Sequence, residues 1–299
     1  MANGALNKAK TAQKDEFYTR LEDIERELTY YTGHFKGKTV YLNCDNPEIS
    51  NFWKYFTNNF IRLAIHKLVA TYYNREGRSY RYEMSEEGKI EKERLEGDGD
   101  FRSEEVIEIL KGSDIVVTNP PFSLWRPYVH QLMEYNKKFL ILGRQTATGY
   151  RDIFPYLKDQ KMWTGVHANK VMQFEVPDTY ELVEGKYEEI NNKNYIKVPS
   201  ISWYTNLGHE KQYKELDLQA SYEENKGKYI KYDNYDAINV NRIKDIPYDW
   251  EEEMGVPITI LNHFNFNQFE ITGFRKGLDG KDLTVNGKKL YTRILIRKK

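Results

Sequence analysis

The chain has 299 residues, enough for one large domain or two modest ones, and at this size roughly 75% of the unfolded surface can be buried. Lys plus Arg (45) balance Asp plus Glu (45), which excludes a strongly basic coat but leaves room for a locally charged groove. A single cysteine, Cys44, excludes a disulfide framework and a multi-cysteine zinc site, and fits a reducing cytoplasm.

Met1–Lys14 reads as a polar, lysine-dotted tail without the apolar stretch of a secretory signal. The apolar runs elsewhere, such as Phe139–Leu142, fall far below the roughly 20 residues of a membrane span. Asp15–Tyr31 has helical spacing, with Leu21, Ile24, Leu28 and Tyr31 three or four apart. Thr39–Leu42 predicts a strand, and Asn46-Pro47 opens a helix to about Phe60. Leu63–Tyr73 carries the next strand, and Ser79–Arg94 alternates as a hairpin turning at Glu87-Gly88. Ser103 caps a helix to Lys111. Asp114–Thr118 is a strand, Asn119–Phe122 a turn, Leu124–Tyr135 a helix and Lys138–Leu142 a strand. This rhythm argues for an α/β fold with a parallel sheet covered on both faces. Beyond about Trp163 the pattern changes to short strands and turns. A boundary near Gly165 therefore divides a core, 1–164, from 165–299, which holds remaining core strands and a loop-rich, charged stretch at Asn206–Tyr248.

Three motif-like features fail on spacing. Gly33–Thr39 resembles a phosphate loop, but it has three residues between its glycines and precedes a strand. Asp98-Gly99-Asp100 is followed by Arg102 and Ser103 where a calcium loop needs an acid or amide and a glycine. The six histidines are scattered without metal-binding spacing. The 24 Tyr, 14 Phe and 5 Trp fit a tyrosine-rich surface or a surface on which flat ligands stack.

The chemistry sits at Asn119-Pro120-Pro121-Phe122, directly after an apolar strand. A polar turn at the carboxyl end of a parallel strand lies where ligands bind in open α/β sheets. Two prolines stiffen the backbone and remove two N–H donors, leaving carbonyls and the Asn119 amide as acceptors, with Phe122 a flat face beside them. The implied partner is a planar group with an exocyclic amine.

The motif resembles the signature of amino-methyltransferases that use S-adenosylmethionine. The wider chain is similar to the EcoRI-type adenine-specific DNA methyltransferases through Asp15–Thr19, Val40–Asp45, Gly97–Ser103 and Asp114–Ser123. The likeness continues through Trp203–Leu207, Tyr232–Ala237, Gly255–Thr259 and Tyr291–Arg297. This resemblance implies a Rossmann-like methyltransferase core with a strand- and loop-rich C-terminal recognition region, acting on adenine N6 in duplex DNA. It implies that Asn119 and the Pro120 carbonyl accept from the amine, that Phe122 stacks on the base, and that Pro121 lines the substrate side. It places Phe17, Tyr18 and Thr19 near the methionine end of the cofactor. Asp45 would hold its ammonium, with a helix cap as the plainer reading. Asp100 and Phe101 would receive its adenine, and Asn119 would border it too. It further implies a cytoplasmic monomer, free of membrane, paired with a restriction endonuclease.

Two departures stand out. Asn43–Pro47 replaces the glycine-rich loop of most such enzymes, and Ala70–Asn74 lacks the acid expected at the ribose. Gly143–Thr146 stands where the family tends to show asparagine. Basic residues cluster at Lys8–Lys14, Arg75–Arg81, Arg242–Lys244, Arg275–Lys281 and Lys288–Lys299, each readable as a solvated face or a phosphate grip. Asn206, His209, Lys211, Gln212, Asn239, Asn241 and Arg242 supply side chains able to address base edges, so Asn239, Asn241 and Arg242 are candidate DNA contacts. Two rival readings stay open: methylation of an RNA base or a glutamine amide, and a non-catalytic DNA-binding descendant.

Overall fold

Four apolar runs of the N-terminal half become adjacent parallel strands. The computed structural model describes residues 17–74, 76–177, 180, 182–274 and 282–299. It divides into two compact units, one holding the residues up to Gln145 with Gly165–Leu207, the other Thr146–Thr164 with Gly208–Lys299.

The first unit runs through β1 (Tyr18–Thr19), α1 (Leu21–Leu28), β2 (Thr39–Asn43), α2 (Asn51–Asn58), β3 (Lys67–Thr71), β4 (Tyr80–Met84) and β5 (Ile90–Arg94). It continues with α3 (Glu104–Lys111), β6 (Ile115–Thr118), α4 (Trp125–Glu134) and β7 (Lys138–Arg144). Beyond Gly165 it adds β9 (Lys170–Val176), β10 (Tyr187–Ile190) and β11 (Lys193–Thr205), while β8 (Trp163–Thr164) belongs to the second unit. The strand order is β1-β9-β11-β7-β6-β2-β3-β4-β5, with β3, β2, β6 and β7 parallel to one another. The flanking pairs β7·β11, β9·β11, β1·β9, β3·β4 and β4·β5 are antiparallel. This is the expected α/β architecture, with the hairpin extending one edge of the sheet.

Parallel strands buried on both faces need apolar residues at nearly every position, and these have them. Val40, Leu42, Ile115, Val117, Leu140 and Leu142 join one core with Ile24 and Leu28 of α1 and Phe52 and Phe56 of α2. The alternate residues Tyr41, Val116, Phe139 and Ile141 are equally buried and point the other way. There α4 packs, with Trp125 against Tyr204 at 4.9 Å.

Two expected helix starts move, each for a physical reason. The helical spacing from Asp15 begins only at Leu21, because Tyr18 and Thr19 pair with Glu175 and Phe174 of β9. The helix expected from Asn46 begins at Asn51, because the Ser50 hydroxyl accepts from the Phe52 and Trp53 N–H groups and so caps it. The cap predicted at Ser103 is present, accepting from Val106 N–H.

The second unit is built on β12 (Lys231–Tyr232), β13 (Tyr235–Asn239), β14 (Met254–Pro257), β15 (Phe269–Phe274) and β18 (Arg293–Lys298), in the order β12-β13-β14-β18-β15, with β16 (Thr284–Val285) and β17 (Lys288–Lys289) as a separate hairpin. A short helix, α5 (Phe154–Lys158), stacks Phe154 on Phe274 at 4.6 Å. The boundary expected near Gly165 is one of several crossings between the units, because β9–β11 complete the first sheet while residues 146–164 belong to the second unit.

A fully buried carboxylate ties α1 to the chain beyond Gly165. Glu27 accepts from Tyr31 Oη (3.0 Å), the Val166 and His167 N–H groups (2.8 Å each) and His167 Nδ1 (2.8 Å). Position 165 must be glycine, since a Cβ there would lie 2.3 Å from Glu27 Oε1. Glu27→Ala leaves these donors without an acceptor, at about 1–3 kcal/mol for each buried group. The expected loss is therefore about 3 kcal/mol or more in urea unfolding, and a loss below about 1 kcal/mol would show that water replaces the carboxylate.

Candidate active site

The chain passes from β2 to β3 on one side and returns to β6 on the other. Strand order therefore reverses between β2 and β6, and the crevice outside their carboxyl ends is where such sheets bind ligands. A cavity of about 450 Å³ opens there. It gathers Phe17, Tyr18 and Thr19 from β1 and its approach, and Asp45 beyond β2. It also gathers Asp100 and Phe101 from the loop before α3, and Asn119 and Pro121 beyond β6. These segments are far apart in sequence and meet at one cavity.

Asn119 is fixed in a defined orientation. Its Nδ2 donates to the Phe17 carbonyl at 2.8 Å, and a carbonyl can only accept, so the amide nitrogen is committed there. Oδ1 is left buried, with no hydrogen-bond partner among the described residues. A buried acceptor without a donor is costly, and such an atom at a cavity wall calls for a ligand N–H. Thr19 Oγ1, buried on the same wall, is also without a partner among the described residues.

Asp45 closes the β2 side. Its carboxyl accepts from Ser50 Oγ at 2.7 Å and meets Thr118 Oγ1 at 2.6 Å. The Thr118 hydroxyl also reaches the Asn43 carbonyl, so one proton faces two oxygens. Burial pushes the Asp45 carboxyl up to about 7, although the hydrogen bonds from Thr118 and Ser50 favour the charged form. Because Ser50 caps α2, the Asp45 carboxyl is not used as the helix cap and remains at the cavity.

Asp100 faces the cavity but already has a partner. Arg102 engages it through its backbone N–H and Nε (2.9 Å each) and through Nη2 (2.5 Å), which holds the carboxyl below its usual range. Phe101 is buried and meets the Tyr128 ring edge-on at 5.1 Å. Gly99, with φ +81°, turns this loop where a Cβ would lie 2.0 Å from the Tyr72 carbonyl. Pro120 is buried and Phe122 half-buried, and both stand beside the cavity instead of lining it. The Phe122 ring packs on Phe17 (5.9 Å) and Phe174 (6.3 Å).

The second unit shows where the candidate DNA contacts lie. Asn239 is buried and its amide is used internally: Oδ1 accepts from Tyr232 Oη and Arg293 Nε, and Nδ2 donates to Asn241. Its burial, and not a lack of donors, turns it away from a base edge. Asn241 and Arg242 are exposed, the latter paired with Asp245 at 2.7 Å. Asn206 lies in the first unit and clamps the chain there, accepting from Phe139 N–H and donating to the Lys137 carbonyl. His209 and Gln212 are buried. Of the basic clusters, Lys8–Lys14, Arg75 and Arg275–Lys281 lie outside the described residues.

Sequence reasoning missed several residues that line the cavity: Cys44, Asn51, Arg102 and the pair Tyr72 and Tyr73. Asn51 had one available signal, since it follows the serine that caps α2. Tyr72 and Tyr73 occupy the strand end where the resemblance predicts an acid at the ribose. No three His, Cys, Asp or Glu side chains among the described residues converge to hold a metal. None of the described helices is long and apolar enough to cross a membrane.

A Rossmann-like sheet with a fixed amide and a carboxylate at its switch point defines an α/β protein that binds its ligand there. Residues 5–299 match the family model described as adenine-specific methyltransferase EcoRI. The chain is 49% identical over 316 residues to the Type II methyltransferase M.EcoRI of Escherichia coli, covering 99% of this chain and 97% of that one. It is 41% identical over 314 residues to the Type II methyltransferase M.MpnI of Mycoplasma pneumoniae, covering 98% of each chain. With M.MgeORF184P of Mycoplasma genitalium, also a Type II methyltransferase, identity is 39% over 312 residues, again 98% of each. No solved structure matches it. The chain belongs to the EcoRI family of adenine-specific methyltransferases and is a DNA methyltransferase.

The raised Asp45 carboxyl makes stability depend on pH. Its folded value, about 7, lies above the unfolded value of 3.8, so between these the native state holds a proton that the unfolded state has lost. Stability from this group is therefore full below the lower value and declines as pH rises toward the upper. Urea unfolding at about pH 5 and about pH 8 should show the wild type losing stability relative to Asp45→Asn. Parallel behaviour of the two proteins would mean that Asp45 is ionised throughout.

Proposed function

We propose that the chain transfers a methyl group from S-adenosylmethionine to the N6 amine of an adenine turned out of duplex DNA, as the modification partner of a restriction endonuclease. The observation that carries this reading is the Asn119 carboxamide at the cavity, its nitrogen held by the Phe17 carbonyl and its buried oxygen without a partner among the described residues.

The residues present fit a cationic amino-acid-bearing donor. Among the described residues Asp45 has no cation as a hydrogen-bond partner and Thr19 Oγ1 has no partner at all, and Asp45 would face the donor's ammonium. Tyr72, Tyr73 and Phe101 would border its base and sugar. When bound, the donor supplies a methyl group on a sulfonium.

The protein's own work is positioning. Asn119 Oδ1 and the Pro120 carbonyl accept the two amine hydrogens, which turns the nitrogen lone pair toward the incoming methyl. No strong base is needed beforehand, because the proton leaves once the nitrogen has become cationic, and the same two oxygens hold it until then. Turning a base out costs about a few kcal/mol, and stacking on an aromatic ring such as Phe122 returns roughly 1–3 kcal/mol. Phe122 is suited to this because Phe17 and Phe174 anchor its ring.

Sequence reading falls to the second unit on this account, through exposed side chains such as Asn241 and Arg242 and not through Asn239. Arg242→Ala, scored on a randomised duplex library, should relax one position of the site at a cost of about 1–3 kcal/mol. Unchanged specificity would remove Arg242 from the reading surface.

Labelled S-adenosylmethionine offered with duplex DNA, RNA and peptide should label the DNA alone, as N6-methyladenine. Label in RNA or at glutamine, or in none of the three, would overturn the assignment. Asn119→Ala should lower the methylation rate more than tenfold, a barrier increase above about 1.4 kcal/mol. A smaller loss would show that Asn119 does not position the amine.

A further inference from the structure

Among the described residues β1 ends its sheet and pairs on one edge, with β9. Carbonyls two residues apart along a strand point the same way, so those of Phe17 and Thr19 share one side. An edge strand normally leaves such carbonyls to water or to another strand. Here two side-chain amides take them. Asn119, beyond β6, donates to the Phe17 carbonyl, and Asn51, in the first turn of α2, donates to the Thr19 carbonyl, each at 2.8 Å. The amides come from opposite sides of the sheet's switch point, and both line the cavity together with all three residues of the segment.

The grip continues into the surrounding structure. Asn51 follows Ser50, whose hydroxyl caps α2 and donates to Asp45, so its backbone is held at a fixed point of the cavity wall. Thr19 is 3% exposed, and its Oγ1 has no partner among the described residues, so the segment presents a polar atom it does not itself satisfy.

We propose that Asn51 is a positioning residue for the methyl donor: it fixes Phe17–Thr19 as a strap along the cavity, and through the strap it keeps the Asn119 amide in its orientation. The donor half of this proposal rests on the reading that S-adenosylmethionine occupies the cavity. Asn51 touches neither reacting atom. Its absence frees one end of the strap, and the donor must then order that end on binding. Donor affinity falls, whereas the rate at saturating donor is largely kept, because the bound donor then holds the strap from the other side.

The test uses the full chain in two states. Without donor, hydrogen exchange at the amides of residues 18–20 should be about tenfold faster in Asn51→Ala than in wild type, as expected for one lost hydrogen bond near the top of its usual range. Calorimetric titration with S-adenosylmethionine should show Kd raised about tenfold, and the donor KM should rise equally while kcat stays within about threefold. Asn51→Gln, which keeps an amide donor, should recover much of the affinity, whereas Asn51→Asp should not, because a carboxylate cannot donate to the Thr19 carbonyl. Ser50 still caps α2 in all three variants. Unchanged exchange and unchanged Kd in Asn51→Ala would overturn the proposal, as would full affinity in Asn51→Asp. If exchange quickens but wild type binds no S-adenosylmethionine, the strap stands and the cofactor reading falls.

Discussion

One hydroxyl holds the carboxyl ends of two parallel strands in register with the site. Thr118, the last residue of β6, meets both the Asn43 carbonyl at the end of β2 and the Asp45 carboxyl just beyond it. Asn119 is the next residue on one strand, and Asp45 lies two residues past the other. Asp45 accepts from Ser50, Ser50 starts α2, and α2 delivers Asn51 to the Thr19 carbonyl. Asn119 closes the circuit by holding the Phe17 carbonyl. A methyl transfer that depends on orientation needs rotamers locked by such a set of contacts, since a small misplacement of one acceptor lowers the rate steeply.

What the sequence made legible was what local chemistry dictates. The Ser103 cap, the Glu87-Gly88 hairpin and the continuous apolar strands each satisfy their requirements within a few residues. The acceptor turn was legible for the same reason, because two prolines and an asparagine define it without distant help. β1 was not legible, since Tyr18 and Thr19 become a strand only by pairing with Thr19's and Tyr18's partners Phe174 and Glu175, far along the chain. The role of Asn51 was hidden likewise, because its partner is a backbone carbonyl on that strand.

The amides of the C-terminal region illustrate the opposite error. Residue type alone cannot distinguish an asparagine that reads a base from one that satisfies buried backbone or side-chain groups. Asn239 sits under Tyr232 and Arg293 because a buried arginine needs acceptors, and its position in β13 supplies them. The C-terminal basic run has local partners of its own. Lys289 pairs with Asp282, Arg297 with Glu270, and Lys299 donates to the Phe266 carbonyl. What such neighbours change is the net charge of the run, since exposed pairs contribute only about 0–1 kcal/mol and can open to a phosphate.

The alternation of the two units along the chain governs how the protein can be made and rearranged. β11 lies between β7 and β9, so the first sheet is not continuous until Thr205 has been synthesised, well after the catalytic turn. A nascent chain ending shortly after β7 would expose one bare strand edge, the kind of surface that recruits foreign strands. No single scission separates the units either, because residues 146–164 and 208–299 form one body. Exchange of that body between relatives therefore requires two grafts made together, which makes piecemeal recombination between such genes a poor route to a working hybrid.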